Sequence, residues 1–299
     1  MSPRGRVHLL PVPPPFIGTT REDELMFETE RPANRDCLIS LPPDLFAMLE
    51  ELGSSTGEPV AGIVEQALRS YLRNGSKPDN SVYLSAPVNA MMKGFYRQNT
   101  AIRELTRHGD FGLGTFNDLD GEMVMLDGRV YQLRADGKAD EVDGAVRTPF
   151  ACVTFFSADT VEEIEGDFDT AGFNTLLHRM IPSENMLYAV RIDGLFRHVN
   201  VWSVTRQENY RPVDETGENF PSFVYENIEG TMAGFYTPKF IKSLNLAGFH
   251  LHFMTADRRR GGHVHECRLE RIRIALQHVP RLTLNLPMTL DYLTALLPR

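Results

Sequence analysis

Cysteine is scarce in this chain: Cys37, Cys152 and Cys267 are far apart, odd in number and include no CxxC pair. That argues against a disulfide framework and fits a reducing cytoplasm. Long apolar runs are missing too, and no window approaches the roughly 18 uninterrupted apolar residues of a membrane span. The first apolar stretch, Val7 to Pro15, is broken by His8 and by prolines, which makes it a poor secretion signal. Positive charge is not in excess. The formal net charge of −9 argues against a nucleic-acid or anionic-membrane partner, because phosphates are repelled unless basic residues cluster locally. What is present suffices for one large domain or two ordinary ones with a real core: 299 residues, 42% hydrophobic and 24% charged.

Residues 1–33 mix prolines with acidic runs at Glu22–Glu24 and Glu28–Glu30, and read as a flexible lead-in. A compact pattern follows over 34–75. The apolar run Cys37–Leu41 suggests a strand. Pro42-Pro43-Asp44 then opens a helix with Leu45, Met48, Leu49 and Leu52 on one face. The stretch from Gly53 to Gly57 should break it. Pro59 starts a second helix with Val60, Ile63, Val64, Ala67, Leu68, Tyr71 and Leu72 on one stripe, ended by Asn74-Gly75. About 40 residues cannot bury themselves alone, so this unit should pair with a second copy.

The stretch 35–74 resembles ribbon-helix-helix modules, and the resemblance implies a homodimer whose paired strands enter the major groove of DNA. The residues themselves favour dimerisation over DNA binding. Strand alternation turns Asp36, Leu38 and Ser40 outward, where a base reader carries Arg, Lys, Asn or Thr. Residues 1–75 hold seven Lys/Arg against eleven Asp/Glu. Glu58, at the mouth of the second helix, also repels the phosphate that such helix starts attract.

Residues 76–81 read as a linker, and 82–299 as the main domain. Here strand-like runs alternate with Asp-Gly and Gly-Gly turns, as in Glu122–Leu126 before Asp127-Gly128 and Val130–Leu133 before Asp136-Gly137. Helical patterns are fewer: 90–107, 170–180 and 237–244. The expectation is a mixed α/β fold with much antiparallel sheet.

His250-Leu251-His252 lies in the apolar run Phe249–Met254. On a strand, residues two apart share a face, about 7 Å apart, which suits two imidazoles converging on one ion. The turn Asp257–Gly262 then returns the chain, and a hairpin would bring His263 beside the first pair. Three nitrogen ligands with open positions would be the arrangement of a catalytic metal. On spacing alone, satisfied core or surface histidines remain the alternative. His265 shares the face of His263, as a fourth ligand, an orienting residue or an exposed one.

Several segments together resemble the alpha-acetolactate decarboxylase family: His108–Phe116, Leu119–Met123, Thr148–Phe150, Gly230–Pro238, and Gly248–Phe253 through Gly261–Val264. The resemblance spans about 200 residues, in the family's order. It implies a barrel-like, mixed α/β, usually dimeric protein that converts 2-acetolactate to acetoin and carbon dioxide. It also implies one zinc ion per chain on His250, His252 and His263, a metal-site glutamate at Glu122 and a substrate-contacting threonine at Thr115. Imidazole ligands alone would equally suit iron, nickel or copper.

The resemblance has two departures. Trp202 stands where the family carries an arginine for the substrate carboxylate, which leaves Arg206 or Arg197 as possible substitutes. The family's C-terminal glutamate also has no counterpart, since no acidic residue follows Asp291. The alternative expectation is therefore a non-catalytic or altered-specificity domain that binds a small keto acid, coupled to the N-terminal module.

Overall fold

The computed structural model describes residues 5–8, 38–73, 80–213 and 220–295. The chain divides into two units, Met1–Lys77 and Pro78–Arg299.

In the first unit, β1 (Gly5–His8) pairs antiparallel with β2 (Leu38–Leu41). Then come α1 (Pro43–Thr56) and α2 (Val60–Arg73). β1 falls inside the segment read as a lead-in. Cys37 and the Asn74-Gly75 terminator lie outside the described residues. The first helix corrects one expectation, because it runs through Gly53 to Thr56. Hydroxyls of Ser54, Ser55 and Thr56 donate back to carbonyls of Glu50 and Leu52, satisfying the last turn. Gly57 ends the helix at φ 75°, a left-handed cap with its N–H on the Gly53 carbonyl. No residue of α1 is buried, and Leu45, Met48 and Leu52 are exposed, as is Leu68 of α2.

The second unit is built on two sheets. The seven-stranded one runs β14 (Arg281–Leu284), β3 (Ser81–Leu84), β8 (Ala151–Thr154), β4 (Phe111–Thr115), β5 (Glu122–Leu126), β6 (Arg129–Leu133) and β7 (Ala139–Glu141). Its strand pairs are antiparallel apart from β14 with β3. The second sheet runs β10 (Leu187–Trp202), β11 (Ser222–Thr237), β12 (Gly248–Thr255), β13 (Gly261–Val279) and β9 (Thr160–Phe168). Because β10 also pairs with β13, the strands β10 to β13 close on themselves. The fold is thus mixed α/β and rich in antiparallel sheet.

One core lies between the sheets, where Val82, Leu113, Val124 and Cys152 meet Ala189, Phe235 and Met254. The opposite face of the seven-stranded sheet is also covered, by Ile102 and Leu105 of α4 (Ile102–Leu105) over Met123, Met125 and Val153. The closed strands bury a further core that includes Val190, Phe196 and Phe253, packed by α5 (Thr170–Met180). That helix forms where its pattern predicts. Asp169 caps it by accepting from the Gly172 N–H at 2.8 Å, and Phe173, Leu176 and Leu177 form its buried stripe.

Two other helical expectations change. Residues 90–107 form α3 (Val88–Met92) and α4 with irregular chain between them. Gly94 at φ 96° ends the first, and a side chain there would strike the Tyr210 carbonyl. Residues 237–244 begin at the end of β11, and Pro238 leads into a short 3-10 turn, Lys239–Ile241.

Candidate metal centre and cavity

The histidines come together on the β12–β13 hairpin. His250 and His252 share one face of β12, and His263 is the direct cross-strand partner of His252. Their ligand atoms all lie within 4.8 Å of one another. Gly234 on β11 makes this arrangement possible, because a Cβ there would collide with the His250 carbonyl.

The donor chemistry fits a metal ion. His252 Nδ1 lies 2.7 Å from the Met123 carbonyl, so it carries the proton and leaves Nε2 as a lone pair facing the other rings. His250 Nε2 stands 3.2 Å from His252 Nε2. Bonds of about 2.0–2.1 Å to one tetrahedral centre place two nitrogens roughly 3.3 Å apart. His250 Nδ1 is buried without a partner. Burial holds the imidazoles neutral, as metal ligands must be: His252 is pushed down to about 4, and His250 and His263 well below their ordinary value.

Glu122 begins β5, directly across from Thr115 at the end of β4. Its carboxyl is 3.5 Å from His252 Nε2. Burial pushes the Glu122 carboxyl up to about 8, opposed by a hydrogen bond from the Val204 N–H. Near neutral pH this is a contact between two uncharged groups rather than an ion pair. Thr115 Oγ1 donates to the Gly121 carbonyl at 2.7 Å, and Gly121 makes the turn at φ 87°.

A cavity of about 310 Å³ opens over His250 and His263, with Glu122 and Thr115 among its polar groups. Its other walls are apolar and include Met91 and Met92 of α3, Phe150, Trp202, Phe220 and Leu246. Trp202 is the cross-strand partner of His263. Its indole stacks on that imidazole at 4.1 Å between centroids and on Phe220 at 5.2 Å.

Arg206 is not brought into the cavity. It points to Asp118 at 3.3 Å, on a side chain 62% exposed. Arg197 pairs with Asp167 and Glu270. His265 is exposed beside Glu266 and is not one of the three converging histidines.

Asp118 carries no sequence signal beyond its place before the Leu119–Met123 segment. Its carboxylate takes Arg97 Nε at 2.6 Å, Arg206 and the Tyr210 hydroxyl, and Arg97 foremost holds it below the usual carboxylate range. Asp118 and Leu119 both sit at positive φ, 66° and 53°, a strained pair of non-glycine residues leading into Gly121 and Glu122. The salt-bridged carboxylate holds that loop in place. The backbone groups that serve Glu122 and His252, the Val204 N–H and the Met123 carbonyl, are invisible in residue types.

Fold and site together define a class: a sheet-rich protein that gathers three neutral imidazoles and one protonated carboxyl beneath a small apolar cavity. The sequence profile of the family described as alpha-acetolactate decarboxylase matches residues 82–299. An alpha-acetolactate decarboxylase of Bacillus subtilis strain 168 is 37% identical over 227 residues, covering 75% of this chain and 89% of the relative. One from Methylococcus capsulatus is 41% identical over 207 residues, covering 67% and 79%. The crystal structure of alpha-acetolactate decarboxylase from Bacillus subtilis strain 168 superposes with a TM-score of 0.71 at 36% identity, covering 73% of this chain and 94% of that one. A Staphylococcus aureus protein of unknown function, described as similar to alpha-acetolactate decarboxylase, gives 0.70 at 26% identity, covering 73% and 94%. The chain belongs to the alpha-acetolactate decarboxylase family.

Proposed function

We propose that this protein is a metal-dependent carbon–carbon lyase that converts 2-acetolactate to acetoin and carbon dioxide. The observation that carries the reading is the convergence of three neutral histidines, two of which line the cavity, beside a carboxyl group in the same cavity that is pushed up to about 8. A divalent metal held by His250, His252 and His263, for which zinc is our reading, would supply Lewis-acid stabilisation of the charge that develops on the substrate's carbonyl oxygen.

The chain's own groups do the rest. When the bond to the carboxylate breaks, its electron pair stays on carbon and is delocalised into the neighbouring ketone. Glu122, kept protonated by burial, then gives its proton to that carbon from one face, which fixes the configuration of the acetoin. Thr115 has committed its hydrogen to Gly121, so its oxygen can accept from the substrate hydroxyl. The apolar walls exclude water from the developing charge. Arg206 enters this reading through Asp118, as one of the groups that hold the loop before Glu122.

His252→Ala tests it. Bound metal should fall from one per chain to near zero, and acetoin formation should be lost with it. Wild-type turnover in this variant would end the proposal.

For the N-terminal unit we favour a ribbon-helix-helix-like dimerisation element, serving a cytoplasmic homodimer. Support comes from the strand–helix–helix order and from the exposed apolar side chains of α1. The acidic balance of this stretch disfavours DNA. Removing residues 1–77 should weaken self-association in sedimentation, and an unchanged dimer would contradict the reading.

A further inference from the structure

We infer that Trp202 sets the substrate class of this cavity, selecting 2-hydroxy-3-keto acids with a bulky apolar or aryl substituent at C2 over 2-acetolactate, which carries a methyl there. The inference rests on the decarboxylase reading for its chemistry and on the cavity walls for its selectivity.

The indole is held flat between two rings, on His263 at 4.1 Å and 22°, and on Phe220 at 5.2 Å and 18°. A side chain wedged in this way is a fixed surface; with its faces taken by His263 and Phe220, it meets a substrate ring at its edge, in the edge-to-face arrangement that aromatic pairs favour. Met91 and Met92 also line the cavity. Methionine is unbranched and adapts to irregular shapes, so those walls can yield to substituents of different size. The volume of about 310 Å³ exceeds what a five-carbon acid fills.

Charge points the same way. Among the described residues that line the cavity there is no Lys or Arg. The neighbouring guanidiniums of Arg97 and Arg206 both end on Asp118, with side chains 65% and 62% exposed. A substrate carboxylate therefore gains no ion pair from the described walls. Selectivity then falls to apolar contact, which grows with the substituent. One added methylene in such a pocket is worth roughly tenfold or more in discrimination.

The test uses the zinc-loaded, full-length protein and two unreactive probes, 2,3-dihydroxy-2-methylbutanoate and 2,3-dihydroxy-2-phenylbutanoate. Both keep the vicinal oxygens and the carboxylate but lack the ketone, so neither can lose carbon dioxide. Calorimetry should give the phenyl probe at least about tenfold tighter binding. Trp202 is the single tryptophan of the chain, so its emission should shift with the phenyl probe. Trp202→Ala should bring the two affinities within about twofold, and Trp202→Phe, which keeps an aromatic wall, should retain most of the preference. Equal affinities in the wild type would overturn the inference, as would a preference that survives in Trp202→Ala. Turnover of 2-acetolactate and of its 2-phenyl counterpart is measured alongside. No turnover of either, with the binding ratio intact, would sink the decarboxylase reading and leave the role of Trp202 standing.

Discussion

Replacing Glu122 with glutamine isolates the proton donor from everything else at the site. The carboxyl is 6% exposed and pushed up to about 8, so near pH 7 it is already uncharged. An amide of the same shape can still accept from the Val204 N–H. The cost to folding should therefore stay under about 1 kcal/mol, a Tm change of less than about 4 °C for a domain of this size. Metal content should not change, since the imidazoles are untouched. What disappears is the proton. No other lining group replaces it readily: Thr115 spends its hydrogen on Gly121, and the histidines are held neutral far below neutral pH. General acid catalysis contributes about 10²- to 10⁴-fold, or roughly 2.7–5.5 kcal/mol, and a site without a second donor belongs in the upper half of that range. The assay is acetoin formation from racemic 2-acetolactate, followed by chiral chromatography of the product. kcat/KM should fall about 10³- to 10⁴-fold, and the residual acetoin should approach the racemate as solvent supplies the proton. Activity within threefold of wild type with the enantiomeric excess intact would refute the assignment.

Two further outcomes follow from Asp118 and its partners. Arg206→Ala should leave kcat/KM within about threefold and cost under about 1 kcal/mol of stability, because its guanidinium is largely exposed and Arg97 still holds Asp118. A hundredfold rise in KM would instead place that guanidinium on the substrate. The second concerns pH. Asp118 is held below its ordinary value of 3.8, chiefly by Arg97, so the unfolded chain takes up a proton before the folded one does as pH falls. Its contribution is complete above the ordinary carboxyl range and is lost as pH drops through the folded value. Urea midpoints measured from about pH 6 to about pH 3 should therefore decline on the acid side. Asp118→Asn should flatten that decline, and an unchanged slope would contradict the role given to the pair.

The histidine cluster was legible because it sits on a hairpin. The spacing of His250 and His252 encodes one face of a strand, and Gly261-Gly262 marks the return that pairs His263 with His252. Strand β5 was legible by its Asp-Gly turn, but not its facing, since all five of its residues are buried and alternation is lost when both faces are covered. The helix expected over 90–107 failed on distant contacts. Tyr96 donates to the Arg211 carbonyl, and Asn117 and Gln98 bond each other across the loop, ordering irregular chain that local periodicity reads as helical. Thr115 and Glu122 emerged through family resemblance, because a threonine and a glutamate seven positions apart carry no pattern until β4 and β5 pair. The cavity walls were the least legible part. Met91, Phe150, Trp202, Phe220 and Leu246 come from separate elements, and none is distinguishable from an ordinary core residue by type. Arg206 illustrates the converse: its charge nominated it, and its partner Asp118 removed it from the cavity.

The central claim is tested most directly by acetoin formation from 2-acetolactate with the purified full-length protein, before chelation, after it, and after zinc is returned. The account predicts turnover that disappears with the metal and recovers on its addition. Absence of turnover in a folded protein carrying one metal ion per chain would contradict it.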